Sequence, residues 1–100
     1  LVFILQRGVR FPQGPPFIMY YFVYMIKSIT PNTKKTYVGY TNNIEKRLEK
    51  HNSNKGAKST KGYKWIVIFC KKFKSKSDAM SFEYKLKKDK SLRKIILEKS

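Results

Sequence analysis

Residues 36–52, TYVGYTNNIEKRLEKHN, run from a strand through a turn into a capped helix, and the rest of the chain is placed relative to them. Thr36, Tyr37, Val38 and Tyr40 are β-branched or aromatic and suit a strand, while Gly39 marks a point where another backbone or a ligand comes close. Asn42 stands three residues before Glu45, the spacing of a capping box, so the helix is expected to start at Asn43. Along that helix Ile44 and Leu48 make an apolar stripe, and Arg47 and His51 make a polar stripe beside it. If the polar stripe lies on the flank nearest Tyr37, a phenol, a guanidinium and an imidazole converge on one pocket. Phosphate suits such a pocket, because the planar arginine fork matches its oxygens. The alternative is that Arg47 and His51 are solvated residues sharing a helix face, and spacing alone does not choose between the two.

A chain of 100 residues is sized for one domain with a single core, and 41% hydrophobic residues are enough to build it. The 23 Lys and Arg against 6 Asp and Glu give a net charge of +17, which calls for a polyanionic partner. Nucleic acid ranks ahead of a membrane surface, because no amphipathic stretch combines this charge with a continuous apolar face. Cys70, the single cysteine, lies in the apolar run WIVIFC and excludes an internal disulfide, which suits a reducing compartment inside the cell. It reads as a buried strand residue. One histidine and one cysteine are too few soft ligands for a zinc site. Residues 1–18, LVFILQRGVRFPQGPPFI, have a different character. Their apolar start is too short to span a bilayer and lacks the flanks of a signal peptide. They read as a loosely packed leader to a working domain over residues 19–100.

Within that domain, residues 20–26, YYFVYMI, form an unbroken apolar run of the kind found in a central strand buried on both faces. Ser28, Thr30, Pro31 and Asn32 predict a turn leading back through Thr36 to Tyr40, so that Tyr24 and Tyr37 approach across an antiparallel pair. After the helix, SNKGAKSTKGYK reads as a basic loop of about a dozen residues. Lys55, Lys58, Thr60 and Lys61, with Gly56 and Ser59, are its candidates for holding phosphates, although such a loop is ordinary in a basic protein. Trp65 to Cys70 supply a third strand, with Lys71 and Lys72 at its exposed end.

Ser77 and Asp78 are expected to open a second helix with Ala79, Phe82 and Leu86 toward the core. Glu83 falls in the middle of that stripe, where a carboxylate costs free energy unless it finds a cation. A salt bridge to one of the many lysines and a bound metal ion are the two ways to satisfy it. A short helix capped by Ser91, with Leu92, Ile95 and Ile96 as its apolar residues, closes the chain as a lid on the core. Lys85, Lys87, Lys88 and Lys90 read as a solvated face that adds long-range attraction for a phosphate backbone.

Taken in order, Tyr24, Tyr37-Val38-Gly39, Arg47, His51 and Glu83 resemble the GIY-YIG nuclease domain, from about Met19 to the end of the chain. YVGYT, Arg47, the His51-Asn52 pair, GAKST from Gly56, Trp65 and SFE ending at Glu83 are similar to the catalytic subunit of the SLX-type structure-specific endonuclease. The tail EYKLKK and the basic helix after it resemble small stand-alone bacterial GIY-YIG proteins equally well. One departure is that Phe22-Val23-Tyr24 stands where the family usually has Gly, an aliphatic residue and Tyr. Within these 100 residues, which hold one cysteine, the resemblance to the SLX-type subunit is not expected to extend to its cysteine-rich zinc domain.

The resemblance implies an α/β (α+β) fold with a small three-stranded, mostly antiparallel sheet flanked by about three helices. It also implies hydrolysis of DNA phosphodiesters on branched or flapped duplexes, of the kind met in repair or recombination. Glu83 would hold one Mg2+ or Mn2+, Arg47 would neutralise phosphate charge, Tyr24 or Tyr37 would act on the attacking water, and His51 would complete the network. Six acidic residues are too few for a two-metal centre. DNA is the implied partner, with a scaffold protein as a further one. A binding module without turnover and a basic protein that merely coats nucleic acid are the competing readings.

Overall fold

The computed structural model describes residues 2–3 and 19–100. Its strands are β1 (Val2–Phe3), β2 (Tyr21–Ser28), β3 (Thr36–Thr41) and β4 (Trp65–Phe73), arranged β1-β4-β2-β3 with antiparallel neighbours throughout. The expected three-stranded α+β sheet is thus present with β2 at its centre, and the two-residue β1 adds an edge beside β4. Apart from β1, the expected loose leader over residues 1–18 lies outside the described residues.

Strand β2 is apolar without alternation because both of its faces are covered. Phe22, Tyr24 and Ile26 pack with Ile44, Trp65 and Val67 under helix α1 (Ile44–Asn52). Val23 and Met25 pack with Val38, Ile68 and Phe69 under α2 (Lys76–Lys88) and α3 (Lys90–Lys99), which contribute Ala79, Leu86 and Ile96. Each large side chain buried this way contributes about 1.5–3 kcal/mol. Among the described residues no helix is long and apolar enough to cross a membrane.

Several element ends differ from expectation, each for a local reason. The α1 cap is Asn43, not Asn42. The Thr41 hydroxyl accepts the Asn43 N–H at 3.1 Å, which leaves the Asn43 backbone extended and its side chain free to accept from Lys46 N at 3.0 Å. Helix α2 begins at Lys76 because Ser75 caps it, and α3 is capped by Asp89, whose carboxylate accepts from Leu92 N at 2.9 Å. Ser91 therefore lies inside α3, and Ile95, expected in the core, is 48% exposed, while Ile96 is buried. Strand β4 runs on through Lys71 and Lys72, whose ammonium groups lie over the rings of Phe82 (4.6 Å) and Tyr20 (3.9 Å). Half-covered lysines of this kind bury their stems and keep their charge on an aromatic face.

The β2–β3 hairpin turns at Asn32, which takes a left-handed φ of 63°, and is closed by Ser28 N to Lys35 O at 2.9 Å. Its register sets Tyr24 opposite Gly39 and Ile26 opposite Tyr37. The two tyrosines therefore meet on the diagonal, with ring centroids 6.4 Å apart, rather than face to face across the pair.

Candidate active site

Gly39 explains itself once the register is known. A Cβ there would lie 2.6 Å from the Tyr24 hydroxyl and 2.8 Å from its ring, so the close neighbour is the Tyr24 side chain. Lying across Gly39, the Tyr24 phenol reaches α1, where it meets both members of the polar stripe. Its oxygen accepts from Arg47 Nε at 3.3 Å, and its hydroxyl lies 2.8 Å from His51 Nε2. Tyr37 stacks obliquely on the His51 ring, with centroids 5.1 Å apart. Tyr24, Tyr37, Arg47 and His51 are thus brought into one cluster, and the solvated alternative fails for His51, which is fully buried.

Burial dominates the electrostatics. It pushes the Tyr24 phenol up to about 12, against the opposing pull of the Arg47 hydrogen bond and charge; Tyr37 and Glu83 add smaller upward contributions. It lowers His51 to about 4, with the Arg47 charge second. Arg47 is itself raised, chiefly by its bond to Tyr24. The resting site therefore holds a neutral phenol, a neutral imidazole and a guanidinium.

Beyond Arg47 lies a cleft of about 510 Å³ lined by Tyr21, Tyr40, Thr41, Asn42, Arg47 and Lys76. Of these only Arg47 stands out in the sequence. Lys76 carries no signal among so many lysines, and Tyr21 and Tyr40 read simply as strand residues.

Glu83 comes from the helix layer on the other side of the sheet. It belongs to α2, which packs on the face opposite α1, and it pairs with Lys87 one turn on at 3.7 Å. Its side chain is 18% exposed and its charge is felt at the Tyr24 phenol. Among the described residues no group of three His, Cys, Asp or Glu side chains gathers to hold a metal. Cys70 is buried, and burial pushes its thiol up to about 12, so it is an inert core residue.

The basic loop has two sides. Lys55, Lys58 and Lys61 are exposed, as a phosphate contact requires. Thr60 is a correction to the expected phosphate set. It is fully buried, and its hydroxyl lies 2.9 Å from His51 Nδ1 and donates to Ala57 O at 2.7 Å. Nothing in a Gly-, Ser- and Lys-rich composition marks one threonine as inward-facing, although its spacing of nine residues from His51 is available in hindsight.

The model of the GIY-YIG catalytic domain matches residues 20–95. The chain belongs to the GIY-YIG family. A UPF0213 protein of Oceanobacillus iheyensis is 43% identical over 68 residues, covering 67% of this chain and 76% of that one. The UPF0213 protein YazA of Bacillus subtilis is 41% identical over 69 residues, covering 68% and 67%. An uncharacterised protein of Acanthamoeba polyphaga mimivirus is 38% identical over 82 residues, covering 74% of this chain but only 48% of that one. The solution structure of a UPF0213 protein from Bacillus halodurans, 32% identical, aligns over 81% of this chain and 84% of that one with a TM-score of 0.43. The small stand-alone branch of the GIY-YIG family is therefore the one it resembles, and the domain is of a nuclease family. The departure at Phe22 is accommodated: its ring is buried in the same cluster as Tyr24, Ile44 and Trp65.

Proposed function

We propose that this chain is a DNA endonuclease that hydrolyses phosphodiester bonds with one divalent ion, acting on branched or flapped duplexes. The observation that supports this most is the continuous run of hydrogen bonds from Arg47 Nε through Tyr24 Oη to His51 Nε2. A substrate phosphate beside Arg47 in the cleft meets the guanidinium N–H groups that Tyr24 does not use, and these neutralise charge developing on its oxygens. Lys76 adds a second cation on the same cleft. The loop lysines and Lys76 are suited to backbone contacts rather than base edges, in keeping with recognition by shape.

Tyr24, rather than Tyr37, is the phenol bonded to both a proton acceptor and a cation. An attacking water passes its proton to Tyr24 Oη while the Tyr24 proton moves to His51 Nε2. The water oxygen bonds to phosphorus, the bond to the leaving oxygen breaks, and that oxygen takes a proton from solvent. Burial holds the phenol above and the imidazole below their ordinary ranges, so moving the inner proton alone is unfavourable. Both protons therefore move together as the water attacks. A phosphate also offsets the Arg47 repulsion that helps to hold His51 neutral.

Glu83 fits a single hydrated magnesium or manganese ion. Its loose 3.7 Å pairing with half-exposed Lys87 leaves carboxylate oxygens open, and such an ion needs only one protein carboxylate besides water and phosphate. When bound, the ion supplies positive charge against the phosphate as the leaving oxygen departs. The same ion pair favours the second reading, a nucleic-acid-binding module in which Glu83 is merely structural.

Incubation of the protein with flapped, branched and plain duplex DNA, with and without magnesium or manganese, decides between them. Metal-dependent cleavage that disappears in Glu83→Gln and Arg47→Ala, with DNA still bound by Glu83→Gln, is the expected result. Binding without cleavage under either metal selects the second reading.

A further inference from the structure

The inner side of the basic loop does work that its outer lysines conceal. Gly56 passes so close to His51 that a Cβ there would lie 2.6 Å from Nδ1. A 3-10 turn over Lys58–Thr60 then brings the Thr60 hydroxyl back to the same nitrogen. The turn is tied down from the far side by the Trp65 indole N–H, which donates to Thr60 O at 3.0 Å. We propose that residues 56–60 are a positioning element that holds His51 in its Nδ1–H tautomer, with Thr60 as the residue that sets it, so that the Nε2 lone pair is committed to the Tyr24 hydroxyl.

Counting protons leads to this assignment. A threonine hydroxyl carries one hydrogen. That of Thr60 goes to Ala57 O at 2.7 Å, so Oγ1 faces His51 with lone pairs only. Nδ1, 2.9 Å away, is then the donor, and a neutral imidazole has no second hydrogen for Nε2. Nε2 accepts from Tyr24, whose oxygen in turn accepts from Arg47 Nε. All four groups are satisfied in one direction, and no buried side-chain nitrogen or oxygen among the described residues lacks a partner.

The opposite tautomer breaks this order at two places. Nε2–H would point at the Tyr24 oxygen and leave the phenol hydrogen, on a residue 2% exposed, with no acceptor. Thr60 would also have to turn its hydroxyl from Ala57 O, which keeps the Thr60 N–H at 3.0 Å, to serve a bare Nδ1. A buried donor left without a partner costs about 1–3 kcal/mol, so the Nδ1–H form dominates while the Thr60 hydroxyl is present. For catalysis the consequence is direct: only a bare Nε2 can take the Tyr24 proton. Thr60 is fully buried behind the imidazole and acts through His51.

The functional half of this proposal rests on the Tyr24–His51 relay of the proposed nuclease; the tautomer itself does not. Nitrogen-15 correlation spectra of the imidazole, recorded near neutral pH on the full chain without DNA, should show hydrogen on Nδ1 and a bare Nε2. Thr60→Val should lose that single form, and its kcat on a cleavable DNA should fall about 100-fold with KM little changed. Thr60→Ser keeps the hydroxyl and should restore both the spectrum and the rate.

Hydrogen on Nε2 in the unmodified protein overturns the proposal, whether or not the valine variant folds. So does a valine variant with the original tautomer, or one that cleaves at the original rate. If the Nδ1–H form is present and is lost in Thr60→Val, yet no DNA is cleaved by any form, the tautomer assignment stands and the nuclease reading is what falls.

Discussion

The hydroxyl of Tyr24 is bonded on both sides, to Arg47 and to His51, inside a pocket that burial makes unfavourable for any charge the phenol acquires. Tyr24→Phe keeps the ring and removes only that oxygen. We expect the variant to fold and to bind DNA while cleavage falls 10²- to 10⁴-fold, the usual worth of a positioned acid–base group, as measured by single-turnover kinetics. Gly39→Ala attacks the same contact from behind. Its methyl would overlap the Tyr24 hydroxyl, so we expect a loss of about 1–3 kcal/mol in urea denaturation together with reduced cleavage.

His51 makes stability depend on pH. Its folded pKa of about 4 lies below the ordinary value of 6.5, so between those values the unfolded chain binds more protons than the folded one. Stability is therefore fully present above about pH 6.5 and declines as pH falls toward 4. A tenfold change in proton affinity is about 1.4 kcal/mol, which puts the total on the order of 3 kcal/mol. Melting temperatures recorded between pH 7 and 4 should show the decline, and His51→Gln should flatten it. The pairing of Arg47 with His51 was legible in their spacing on one helix. That one of them is fully buried was not, because the segment that covers it comes from elsewhere in the chain.

At the scale of elements, what matters is how α1 is joined to β4. The side chain of Asn52, the last residue of α1, accepts from Trp65 N at 2.6 Å and donates to Trp65 O at 3.2 Å, so it pairs with the first residue of β4 as a strand would. Asn54 holds the same loop further along, accepting from Gly62 N at 2.8 Å where the chain takes a left-handed φ of 88°. The loop between is a fastened segment with His51 underneath it. Asn52→Ala leaves two backbone groups of Trp65 to find other partners, and we expect a cost of about 1–3 kcal/mol. Faster hydrogen exchange at residues 56–65 than in β2 would locate the damage in this loop. A compositional reading sees turn formers and lysines here and cannot tell a fastened loop from a loose one, because the fastening bonds depend on where Trp65 and His51 lie. The shifted helix caps have the same origin on a smaller scale: Thr41 and Ser75 act through side-chain hydrogen bonds that spacing rules do not resolve.

Across the whole molecule, a net charge of +17 on 100 residues sets the long-range behaviour. DNA affinity should fall linearly on a logarithmic salt scale, and replacing Lys55, Lys58 and Lys61 with glutamine should reduce that slope by roughly one for each phosphate left without its lysine. Fluorescence anisotropy at several salt concentrations measures it, and an unchanged slope would place the outer side of the loop away from the DNA. That Tyr24, Tyr37, Arg47 and His51 share one site was implied by the family resemblance, because spacing alone left Arg47 and His51 open to a solvated reading. The sequence by itself determined the α+β class, the central position of β2 and the basic character of the surface. Those follow from local periodicity, composition and residue order, which need no knowledge of distant contacts. Only the tertiary structure decided that Tyr24 lies over Gly39 and that Thr60 turns inward to His51 rather than outward to phosphate. Each of these depends on strand register or loop closure, where a shift of one residue reverses which way a side chain faces, and a single chain read in order does not carry that information.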